Sequence, residues 1–197
     1  MDAIYCSSSH RPNNSNARDL KSDSSPESIQ IVRESIEKVN PKSVVIDGAS
    51  PIRVDDPSVI KGKRLLAVED GPTLTHGEMK IGAGVVAARK FGASELVDPR
   101  PFTVGRLSDT FRQYPNIGTL LPAMGYGKQQ LKDLETTINN TDCDSVIIAT
   151  PIDLNRIIKI KKPNTRVHYD LQEIGHPDLT GVLNDFVKKF RLKAGKK

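Results

Sequence analysis

Short apolar runs recur along the chain, and their make-up limits the folds open to it. They fall at residues 43–46, 64–68, 95–97, 119–121, 145–149 and 166–169. Leu65-Leu66-Ala67-Val68 and Val146-Ile147-Ile148-Ala149 are unbroken rather than alternating with polar residues. A strand with that pattern is buried on both faces, the usual state of a parallel sheet covered by helices. Helical spacings lie between most of the runs, at 82–91, 108–114, 128–138 and 153–158, with a last one at 179–190. Strand and helix in alternation predict crossover units, hence an α/β fold: a doubly wound, mostly parallel, Rossmann-like sheet.

The ends of the chain read differently. Residues 1–20 are rich in Ser and Asn and poor in apolar side chains, the composition of a short disordered arm. Ser25-Pro26-Glu27 then supplies a hydroxyl cap, a proline at the first helical position and an acid in the first turn. Ile29, Val32, Ile36 and Val39 follow at helical spacing until Asn40-Pro41. The division expected is a loose arm (1–22), a helix–strand segment (23–59) and an α/β domain (60–197).

The net charge of +5 would suit a nucleic-acid reader, but its placement argues otherwise. Lys188, Lys189, Arg191, Lys193, Lys196 and Lys197 are six cations with no acid among them, leaving −1 upstream. A basic tail is not the basic, aromatic-bearing face that nucleic acids require. No run approaches the roughly 18 apolar residues of a membrane span, and no apolar leader suggests export. Cys6 and Cys143 are isolated, as in a reducing cytoplasm. A cytoplasmic protein with no metal site is expected, and a homo-oligomer is compatible with this composition.

Ligands of such sheets bind where loops leave the carboxyl ends of the strands. Four polar stretches stand there. Glu69 to Lys80 contains Asp70, Thr73, Thr75, His76, Gly77 and Lys80, just ahead of a predicted helix. Amide groups at a helix start beside a lysine make a phosphate site. Asp70 is suited to orienting His76, which can exchange a proton near neutral pH. Asp98-Pro99-Arg100 places a guanidinium fork suited to phosphate or carboxylate. Gly125-Tyr126-Gly127-Lys128 is a second backbone cradle, and Thr150 and Asp153 follow the run at 145–149. Plainer readings stand beside these: threonines closing turns, an exposed Asp98–Arg100 pair, a glycine turn capping a helix. His168, on a predicted strand, reads as structural. Gly82-Ala83-Gly84-Val85-Val86-Ala87 has the spacing of a dinucleotide fingerprint, but a dozen residues separate it from Val68. The first glycine of a true fingerprint follows its strand directly. Close packing of a helix on the sheet accounts for the small residues. The expectation is one anion site built by the 70–80 loop, Arg100 and the 125–128 turn.

Several of these stretches resemble a known family. Ser50-Pro51-Ile52-Arg53-Val54-Asp55-Asp56-Pro57, Val68-Glu69-Asp70-Gly71-Pro72-Thr73-Leu74-Thr75-His76-Gly77, Leu96-Val97-Asp98-Pro99-Arg100-Pro101, Leu121-Pro122-Ala123-Met124-Gly125-Tyr126-Gly127 and Thr150-Pro151-Ile152-Asp153-Leu154 resemble, in this order, the C-terminal part of a prokaryotic family of predicted P-loop GTPases related to cyclic 2,3-diphosphoglycerate synthetase. Full-length members join a Rossmann-like domain, a P-loop core and the region seen here. Lys21-Ser22-Asp23 matches the end of an Asn-Lys-x-Asp base-recognition motif, with Leu20 in place of Asn. The resemblance thus implies a nucleotide-base role for Lys21 and Asp23, and ATP or GTP with Mg for the full-length family. No G-x-x-x-x-G-K-[ST] occurs in the 197 residues, so this chain alone is expected to hold no cofactor. The resemblance implies a truncated member that binds a small phosphorylated substrate and needs a separately encoded P-loop subunit for ligase-like chemistry. A non-catalytic module binding a phosphometabolite or nucleotide, and an inactive remnant, are the alternatives.

Overall fold

The structure, a computed structural model, describes residues 26–76 and 81–194. In chain order the elements are α1 (Pro26–Val39), β1 (Gly48–Ala49), β2 (Ile52–Val54), β3 (Arg64–Asp70), α2 (Gly71–His76), α3 (Ala83–Lys90), β4 (Glu95–Leu96), α4 (Arg106–Gln113), β5 (Leu121–Ala123), α5 (Lys128–Asn140), β6 (Ser145–Ala149), β7 (Asn164–Tyr169), β8 (Gln172–Glu173) and α6 (Leu179–Ala194). The described residues form two compact units, 52–168 and 26–51 with 169–194. The arm, Lys21, Asp23, Gly77 and Lys80 lie outside the described residues.

The larger unit is built on a mostly parallel sheet, as the unbroken apolar runs predict. β3 is central, its residues Leu65 to Glu69 all buried. Along one side it pairs in parallel with β6, from Leu65 opposite Ser145 to Glu69 opposite Ala149. The other side is shared. β4 pairs with the start of β3 through Glu95 and Leu96, and β5 with its end, Val68 to Asp70 opposite Leu121 to Ala123. β7 lies parallel beyond β6, and β2 flanks β7. Helices α3, α4 and α5 are the crossovers between successive parallel strands.

Some elements depart from the sequence reading. The polar stretch after Val68 is not a plain loop: β3 continues to Asp70 and α2 follows at once. Pro72 falls in the first turn, where its missing N–H has no partner to lose. The helical pattern at 153–158 yields one 3-10 turn, Leu154–Arg156, capped by the Asp153 carboxylate accepting from the Asn155 N–H at 3.1 Å. Residues 43–46 join no ladder, although Ile46 is buried.

In the smaller unit β1 and β8 pair antiparallel as a two-stranded ribbon. The Arg33 guanidinium of α1 holds both oxygens of Asp47. Glu173 accepts the Leu179 N–H at 2.7 Å and Asp178 the Gly181 N–H at 2.6 Å, so both acids satisfy amides at the start of α6.

Candidate functional site

Register brings three strand ends level. Asp70 of β3 faces Ala123 of β5, and Glu69 faces Ala149 of β6, so the segments beginning Gly71, Met124 and Thr150 leave the sheet together. The first two touch. A Cβ on Gly71 would lie 2.6 Å from both the Ala123 carbonyl oxygen and the Met124 sulfur, which is why glycine stands there. Asp70 is close enough to Tyr126 that its charge, after burial, helps to hold the phenol above its ordinary pKa. The Tyr126 hydroxyl is buried without a hydrogen-bond partner, a costly state for a polar group.

The residue that sequence reasoning missed is Glu69. Its side chain is 3% exposed, and Oε1 accepts the Val85 N–H at 2.9 Å. The Gly84 N–H also bonds it. Burial pushes its pKa up to about 7; those two N–H bonds act the other way, and the nearby charge of Asp70 adds to the rise. A Cβ on Gly82 would come 2.4 Å from Oε2, and one on Gly84 2.9 Å from Oε1. The Gly82-x-Gly84 spacing is therefore explained: the backbone must close around a carboxylate at the start of α3. Gly82 has an extended φ of −129°, so the demand on it is for space, not for unusual dihedrals. An acid ending an apolar strand, followed by a Gly-x-Gly helix start, was the signal available in the sequence.

Thr75 is buried on α2 and donates to the Gly71 carbonyl at 3.2 Å; Thr73 and His76 lie on the same short helix. On the β5 exit, Gln130 accepts the Gly127 N–H at 3.1 Å and donates to the Met124 carbonyl at 3.3 Å, bracing the turn before Lys128. Gly125, at φ 153°, lies against the same Gln130 amide. On the β6 exit, Thr150 is buried and donates to the Ile152 carbonyl at 2.6 Å. Arg166 of β7, a second residue not foreseen, lies 3.9 Å from Asp153, with its Nε buried and without a hydrogen-bond partner.

Arg100 follows the shorter strand β4. β4 ends at Leu96, opposite Leu65, about 16 Å of strand before the end of β3 at 3.3 Å per residue. The Arg100 guanidinium donates to Asp98 at 2.9 Å and to the Ile117 carbonyl, and lies 4.9 Å from the Phe111 ring centre. His168 pairs with Asp55 at 2.7 Å, between β7 and the segment after β2. Among the described residues no three His, Cys, Asp or Glu side chains gather as a metal ion would need.

A nucleotide with Mg, implied by the family resemblance, fits this arrangement poorly. The α3 amides beside β3 are the groups that would cradle its phosphates, and they are bonded to Glu69.

No family model matches the chain. Over 160 residues it is 61% identical to a protein of Thermococcus kodakarensis (strain KOD1) named arginine synthetase ArcE. The chain is similar to part of a synthetase. That stretch is 81% of this chain but only 36% of the relative, so the chain spans about a third of the relative's length. Among the described residues no helix is long and apolar enough to cross a membrane.

Proposed function

We propose that this chain is the substrate-holding part of a nucleotide-dependent synthetase, and that its ligand is a small anionic acid held at the exits of β3, β5 and β6. The observation that carries this reading is the 61% identity to a protein named arginine synthetase over four-fifths of the chain. A synthetase joins two molecules at the expense of a nucleoside triphosphate. An amino acid such as arginine offers a carboxylate, and activation by phosphoryl transfer would add a phosphate. Either anion suits Lys128 at the start of α5, where the helix dipole adds to the lysine charge. Asp153 and Asp70 suit a cationic group on the same ligand. Thr73, Thr75, Gly77, Lys80 and Thr150 are the remaining contacts we assign to it, and His76 and Asp70 the groups that would move its protons. The triphosphate is assigned to a separate P-loop part, related to the GTPase and cyclic 2,3-diphosphoglycerate synthetase family, because neither a P-loop sequence nor free α3 amides support it in this chain.

Calorimetry of the isolated chain with L-arginine and with a phosphate ester tests the reading. One of the two should bind, and Lys128→Ala should weaken that binding roughly tenfold, as loss of one charged contact of about 1.5–3 kcal/mol implies. Nucleoside triphosphatase activity should stay at background. Binding of neither ligand, or triphosphate turnover that survives repurification, would overturn the proposal.

A further inference from the structure

Two buried side-chain polar atoms among the described residues have no hydrogen-bond partner, the Tyr126 hydroxyl and Arg166 Nε. Buried polar groups are paired almost everywhere in folded proteins, so each exception asks for a cause. Arg166 is the more telling of the two, because so much of it is unused. A guanidinium carries five N–H donors. Among the described residues this one makes a single hydrogen bond, from Nη2 to the Pro151 carbonyl at 3.4 Å. That is longer than the usual N–H···O range of about 2.7–3.2 Å. Its ionic partner Asp153 stands at 3.9 Å, and both side chains are about three-quarters buried. A guanidinium and a carboxylate that serve only each other close to about 2.7–2.9 Å.

The pair stays open because each member is held from its own side. Asp153 caps the 3-10 turn Leu154–Arg156, its Oδ1 accepting the Asn155 N–H. The segment before it is braced by the buried Thr150, whose hydroxyl donates to the Ile152 carbonyl. Arg166 extends from β7, opposite Ile148 of β6, which is itself opposite Val68 of β3. Side chains alternate along a strand. Arg166, Ile148, Val68 and Asp70 therefore belong to one face of the sheet, and Glu69 with its amides to the other.

We infer that Arg166 and Asp153 receive the head group of an α-amino acid, the guanidinium taking the carboxylate and Asp153 the ammonium. The inference rests on the reading of this sheet edge as a substrate site, and it names the class of substrate. Charge separates that class from the phosphate esters. A phosphate on Arg166 would lie beside the Asp153 carboxylate and be repelled, whereas a zwitterion brings a positive group to meet it. The planar fork of Arg166 also matches the two coplanar oxygens of a carboxylate. Groups fixed by a strand and a capped turn are rigid enough to discriminate in this way.

Calorimetry of the full chain with three probes reads the two contacts separately. L-Arginine carries both charges of the head group, agmatine lacks the carboxylate, and Nα-acetyl-L-arginine lacks the ammonium. The wild type should bind L-arginine roughly tenfold or more tighter than either, as loss of one charged contact implies. Arg166→Gln should weaken L-arginine by a similar factor and leave agmatine unchanged. Asp153→Asn should weaken L-arginine and leave Nα-acetyl-L-arginine unchanged. Should either variant misfold, the ranking of the three probes on the wild type still decides. Equal wild-type affinity for L-arginine and agmatine overturns the inference, and so does an Arg166→Gln variant that weakens both alike or neither. Binding of a phosphate ester without L-arginine overturns it while the substrate-site reading stands; binding of none of these ligands removes both.

Discussion

The two units of this chain bury their apolar side chains very unequally. Residues 52–168 hold a continuous core from Ile60 through Leu65–Val68 and Val146–Ile148 to Val167, closed by helices α3, α4 and α5. In the other unit, among the described residues, Ile46 is the one buried large apolar side chain, while α6 leaves a whole apolar face in solvent. The difference follows from the kind of element. Strands filled on both faces complete one another within the sheet, whereas an amphipathic helix is complete only when something covers its stripe.

The comparison can be broken most directly in the larger unit. Leu66→Ala removes a fully buried side chain from the central strand and should lower stability by about 2–5 kcal/mol, read as a shift in the urea midpoint. Phe186→Ala in α6 should change it by no more than about 0.5 kcal/mol in dilute solution. Comparable losses would mean that the smaller unit has a core after all.

Acid and base sharpen the contrast within the larger unit. Glu69 has a folded pKa of about 7, raised from 4.5. The folded state therefore holds its proton more tightly than the unfolded chain. The stabilisation is complete below about pH 4.5 and is lost as pH rises through 7, at a slope of up to about 1.4 kcal/mol per pH unit. Stability measured from pH 4.5 to 7.5 should fall in the wild type and run flatter in Glu69→Gln. Identical slopes would remove Glu69 from the account.

The smallest effect belongs to the smaller unit. Arg33 and Asp47 form a bidentate pair but are 40% and 36% exposed. Arg33→Ala should cost no more than about 1 kcal/mol, and less at high salt. A larger, salt-independent loss in denaturant titration would show that the pair is sealed from solvent in solution.

What could be read from the sequence follows the same division. The strands at 65–68 and 146–149 were legible because burial on both faces writes an unbroken apolar run, and the crossover helices because their stripes face that sheet. Residues 71–76 were not legible as a helix, since Gly71-Pro72 signals a turn as strongly as a helix start. The stretch 153–158 has helical spacing but only a single turn, its first amide taken by Asp153. The sequence also drew attention to the glycines at 82 and 84 without showing what they make room for. That depends on Glu69, thirteen residues earlier than Gly82, a proximity only the folded sheet creates.

That proximity has a consequence for the amides at the start of α3. A phosphate approaching the start of α3 competes with an anion already tethered there by the chain, whose effective concentration far exceeds that of a freely diffusing ligand. Below about pH 7 the Glu69 carboxyl takes up a proton and loosens its hold on the Gly84 and Val85 amides; above it, the charge returns and the amides are held again.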